Sequence, residues 1–224
     1  MLSVRTPLLT RPAAVILAAC SLLSMVVILH HPVVHARRPQ EALAGMMRLT
    51  PADRTVHAIL LVLILLMVYA VSVLTYANRG RLLLGVGGLA IFSIGAGAVI
   101  GAGMIDGFFT PLFAARYGVL APSLQNYAVP VLTASAIGIQ ILTKFGFFAF
   151  SGAAVLWGVE IFQAGGRNRL AGALACAAAV AEFAFVLSAG TLNPHNLSTM
   201  ALLQAVWCLA FAWVLWNEPE SASL

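Results

Sequence analysis

Six apolar runs, each near or above the roughly 20 residues that carry a helix across a bilayer, account for most of this chain. In hydrocarbon every backbone N–H and C=O must be satisfied within its own segment, so runs of this kind fold as helices. They cover residues 12–30, 57–77, 82–105, 129–161, 170–190 and 197–216. The polar stretches between them are too short to bury a core of their own. The expectation is therefore one all-α, polytopic membrane bundle spanning 1–224. With 62% hydrophobic and 8% charged residues, against about 25% charged in soluble domains, a soluble fold is excluded.

The charge pattern follows the membrane. Eleven arginines and one lysine face seven acids, giving a net charge of +5. The arginines lie in short clusters between apolar runs, which is a topology signal and not a nucleic-acid surface. Arg5, Arg11, Arg79, Arg81, Arg167 and Arg169 fall on one side, and Arg37, Arg38, Arg48, Arg54 and Arg116 on the other. The tight pairs favour both termini in the cytoplasm of a bacterial cell, with the chain in the inner membrane. Arg5 and Arg11 before an apolar run, with Val34 and Ala36 beyond it, also resemble a secretory signal. At 18 uncharged residues the run is longer than a signal core of about 7 to 15, so retention is expected.

Within the apolar runs a few polar side chains stand out. Lys144 is the only lysine, and a charge at membrane depth normally faces a partner or a water-filled cavity. Gln140, Lys144 and Ser151 share one helical face. Glu182, midway along the fifth run on the small-residue stripe Ala171, Ala175 and Ala178, is the natural counter-charge for Lys144. Together with Asp106, at the end of the third run, these residues define a candidate buried polar site: Lys144, Glu182, Asp106 and Gln140. The alternatives are that Lys144 snorkels to the headgroups and that the acids only join helices. The fourth run is longer than one upright crossing needs, so a tilt or a break is expected near Pro122 and Pro130.

All five histidines fall on one side of this topology: His30, His31, His35, His57 and His195. Asp106 lies there too. The segment 31–56 reads as an outer loop with a short interfacial helix around Leu43, Met46, Met47 and Leu49, followed by a helix start at Thr50, Pro51 and Asp53. Asp53 and His57 are four apart, so the carboxylate reaches the imidazole. His57, Asp106, His30, His31 and His195 come from four separate segments, as ligands of copper or zinc commonly do. The alternative is solvated histidines at helix ends.

The third run is rich in glycine, and the pairs Gly97–Gly101 and Gly103–Gly107 predict close helix approach. Cys20, Cys176 and Cys208 lie within runs and imply packing, not disulfides. No phosphate loop, zinc-protease helix, serine elbow or lipid-anchor motif occurs, so no catalytic residue is assignable. Three functional readings remain: transport or channelling of a small solute or ion through the buried polar site, a structural or assembly subunit, and a membrane enzyme with an outward-facing His/Asp metal site. The implied partners are the lipid bilayer and another membrane protein or a second copy of the chain.

Overall fold

The computed structural model describes residues 7–32, 34, 38–77 and 82–217. Arg5, His35, Ala36, Arg37, Arg79 and Arg81 lie outside them. The described chain is helical throughout: α1 (Pro7–Leu29), α2 (Pro39–Ala77), α3 (Leu82–Met104), a π-turn (Ile105–Phe109), α4 (Thr110–Tyr117), α5 (Pro122–Gln125), α6 (Ala128–Ala164), a 3-10 turn (Gly166–Asn168), α7 (Arg169–Ser188) and α8 (Pro194–Trp216). Six of its segments are long and apolar enough to cross a membrane. This is a membrane protein built as an all-α bundle.

The six long helices close into a ring. α1 packs on α2, α2 on α3, α3 on α6, α6 on α7, α7 on α8, and α8 returns to α1. Each helix meets its neighbours in sequence because short connections leave antiparallel partners adjacent. Glycine sets the close approach of α6 to α7, where a Cβ on Gly172 would stand 2.6 Å from the Gly158 carbonyl oxygen, and of α3 to α6. A Cβ on Gly95 would stand 2.9 Å from the Gly146 carbonyl oxygen, so neither position accepts a larger residue without separating the helices. Of the two pairs expected from the sequence, Gly97–Gly101 does not bring helices together, since Gly97 faces open space, whereas Gly103 and Gly107 both lie against His57 of α2.

Aromatic side chains fill one half of the ring. Phe92 stacks on Phe150 with centroids 4.5 Å apart, Trp157 and Trp207 meet Phe211 at 6.0 and 5.7 Å, and Phe92 reaches Trp207 at 6.5 Å. Each indole has an acceptor, as a buried N–H requires. Trp157 Nε1 donates to Thr75 Oγ1 and the Gly85 carbonyl, both at 3.1 Å, and Trp207 Nε1 donates to Glu182 Oε2 at 2.8 Å.

At the other end, where the histidines lie, α2, α4 and α6 pack together. Leu43 of α2, Ala114 of α4 and Ala128 of α6 are buried there, with Met46, Met47, Phe113, Tyr117 and Leu132 around them. This packing corrects two expectations. The interfacial helix and the second span are one 39-residue helix, because continuity carries Leu43 and Met46 onto α4 and α6. Thr50 is not an N-cap: its hydroxyl donates back to the Met46 carbonyl at 2.8 Å. Likewise α6 runs unbroken for 37 residues, about 55 Å. Pro130 falls in its first turn, where the missing N–H is no loss.

Candidate metal centre

His31 follows the last turn of α1, His57 lies on α2, and Asp106 lies in the π-turn after α3. Three chain segments thus deliver one atom each to a common point. His31 Nε2 is 3.5 Å from His57 Nε2, and Asp106 Oδ2 is 3.3 Å from His57 Nε2 and 4.0 Å from His31 Nε2. Ligands held at about 2.0–2.2 Å around a tetrahedral ion stand about 3.3–3.6 Å apart. The spacing therefore fits a metal with slight contraction on the His31–Asp106 edge.

Backbone carbonyls set the tautomers. His57 Nδ1 lies 2.9 Å from the Asp53 carbonyl oxygen, and His31 Nδ1 lies 2.9 Å from the Pro32 carbonyl oxygen. A carbonyl only accepts, so each Nδ1 carries a proton and each Nε2 faces the centre, where a neutral ring presents a lone pair. The two Nε2 atoms and the Asp106 carboxylate together suit a cation, either a metal ion or a proton taken up on His57 Nε2 and shared with Asp106. Asp53 adds further negative charge, with Oδ1 3.4 Å from His57 Nδ1 and 3.6 Å from His31 Nε2. His31, Asp53 and His57 also form a group whose ligand atoms all lie within 4.8 Å of one another.

The π-turn aims Asp106. Its wider coil is closed by the Thr110 backbone N–H, which donates to the Ile105 carbonyl, and the Thr110 hydroxyl donates to the same oxygen at 2.9 Å. Turns of this kind are frequent at functional sites. Directly after Asp106, Gly107 is buried under His57, and a Cβ there would overlap the imidazole and its own Cβ. Only glycine lets the two segments approach this far. His57 itself is 5% exposed, so its ring cannot swing away to bulk water.

Two cavities meet at this point. One, of about 170 Å³, lies inside the ring, between α1, α2, α3, α6 and α8. The other, of about 300 Å³, opens toward the outer tier and is lined by Asp53, Thr110, Gln140 and Leu192 among others. His31 and Asp106 border both.

Of the residues singled out in the sequence, His31, His57 and Asp106 come together. His30 is exposed and its Nδ1 contacts the Val26 carbonyl at 2.8 Å, while His195 is exposed on the first turn of α8. Lys144 and Glu182 belong to different places. Lys144 Nζ donates to the carbonyls of Ala189 and Gly190 at 2.6 and 2.7 Å, capping α7, whose last carbonyls lack helical partners. One turn earlier, Gln140 grips the same loop through both amide atoms, giving 2.9 Å to the Leu192 carbonyl and taking 2.7 Å from its N–H. Glu182 is fully buried in the aromatic half, about two helical turns from Ala189. No ion pair joins Lys144 and Glu182 among the described residues. Glu160 was not foreseen as an interior acid, yet it is buried near Thr75 and Gly85. Gly107 was foreseen only as a packing residue.

No family model, curated protein or solved structure matches the chain.

Proposed function

We propose that this membrane protein binds one divalent transition-metal ion, zinc or copper, through His31 Nε2, His57 Nε2 and Asp106 Oδ2, and acts as a metal-dependent membrane enzyme. The observation that carries this reading is the convergence of three acceptor atoms with the opposite nitrogen of each ring fixed by a backbone carbonyl. Three protein ligands with an open position are the pattern of catalytic zinc, whereas structural sites close all four. When bound, the ion would supply Lewis-acid activation of a coordinated oxygen. The chain's own part is to hold the rings in one tautomer, through Asp53 and Pro32, and to keep Asp106 aimed by the π-turn. Asp53 is the residue suited to take up a proton from a group on the outer-cavity side. The histidine end would face the outside of an inner membrane.

Transport through the bundle draws less support. Lys144 and Gln140 are engaged with the α7–α8 loop, and the aromatic residues fill the ring beyond the inner cavity. Metal analysis of the purified protein tests the proposal. The expected result is about one zinc or copper per chain, lost in His57→Ala and in Asp106→Asn while the helical content is unchanged. Metal-free protein that takes up neither ion on titration, or an undiminished stoichiometry in both variants, would overturn it.

A further inference from the structure

We infer that the open position of this centre takes the coordinating head, a hydroxyl or thiol, of a small lipophilic molecule whose apolar tail fills the inner cavity. The inference rests on the metal reading above and adds the class of ligand. The roof of the cavity is His31, His57 and Asp106, which supply all of its ionisable side chains. Its walls are apolar, with Ile64, Val99, Ala102, Phe147 and Phe150 among them. Below the roof the polar groups are few: Gln204, for one, turns its amide to Met67 Sδ at 4.0 Å. A water needs two to four polar partners to stay in such a space, and an apolar cavity of about 150 Å³ stays dry and accepts a benzene-sized guest.

At about 170 Å³, the inner cavity therefore suits a tail of roughly six carbons. A sugar or an amino acid would leave its hydrogen-bonding groups unmet there. The second, outer cavity also meets the centre, and there Asp53, Thr110 and Gln140 stand among mostly apolar neighbours.

The probe is a series of n-alkanethiols from ethanethiol to decanethiol, titrated into Co(II)-loaded protein and read by sulfur-to-cobalt absorption. Affinity should rise about fourfold per methylene to a tail of about six carbons, then level off. Ala102→Phe, which places a ring in the cavity, should flatten the series. Ile64→Ala, which enlarges it, should move the plateau to longer thiols by one or two carbons. Both variants should bind Co(II) as the parent does. Co(II) binding with a chain-length dependence that is absent, or identical in all three proteins, overturns the lipophilic ligand and leaves the metal reading standing. Failure of the parent to bind Co(II) overturns both.

Discussion

The two halves of the ring use the same helices to opposite ends. In one half, Phe92, Trp157, Trp207 and Phe211 meet across the axis, with Phe150 stacked on Phe92 at the floor of the inner cavity. In the other, the same axis is hollow and ends under two imidazoles and a carboxylate. Lipid tails are as apolar as leucine, so helices in a membrane gain little from burial and associate through packing and polar contacts. A bundle that leaves a cavity toward one end leans the more on its packing toward the other. The filled half is the scaffold, and the hollow half is free to carry a site.

The largest expected effect lies in the filled half. Trp157→Ala should destabilise the protein by about 3–5 kcal/mol, seen as a fall in the detergent unfolding midpoint, with the metal stoichiometry of the surviving fold unchanged. Equal destabilisation by Phe147→Ala, which lines the hollow half, would erase the contrast. Next comes Gly107→Ala, which drives His57 and Asp106 apart and should weaken metal binding by about 10- to 100-fold, the range for disturbed supporting groups, measured by competition with a zinc chelator. An unchanged affinity would mean that the close approach does not serve the centre.

Lys144→Met should then cost about 1–3 kcal/mol by leaving two helix-end carbonyls without their donor. It should also raise hydrogen exchange across residues 189–192 while sparing metal binding. Loss of metal in this variant would join the α7–α8 loop to the site. Smallest of all, His30→Ala and His195→Ala should change stability by less than about 0.5 kcal/mol and metal content not at all, since both side chains are exposed.

Much of this architecture was legible from residue order alone. Hydrophobic run length gave the six spans because a bilayer accepts little else, and the shared side of His31, His57 and Asp106 gave the end at which to look. Length patterns could not reveal that α2 and α6 run unbroken for 39 and 37 residues, because that depends on a tertiary contact among Leu43, Ala114 and Ala128. The pairing of Lys144 with Glu182 failed for a related reason. Opposite charges in apolar runs suggest one another only if nothing nearer competes, and here helix-end carbonyls and an indole N–H were nearer. The π-turn has no strong sequence signature, so the aim of Asp106 could not be read.

That π-turn is, in effect, an extra residue carried in a helix that would otherwise run smoothly from α3 into α4. Each residue advances an α-helix by about 100°, so the surplus rotates everything beyond it by that angle relative to the membrane portion. The same helix can thereby show the lipid one face and the outer tier another. If the wide turn shifted along the helix, Asp106 would swing by about 100° and the centre would lose its carboxylate from this segment. The register of a single residue is therefore a natural lever on the whole site.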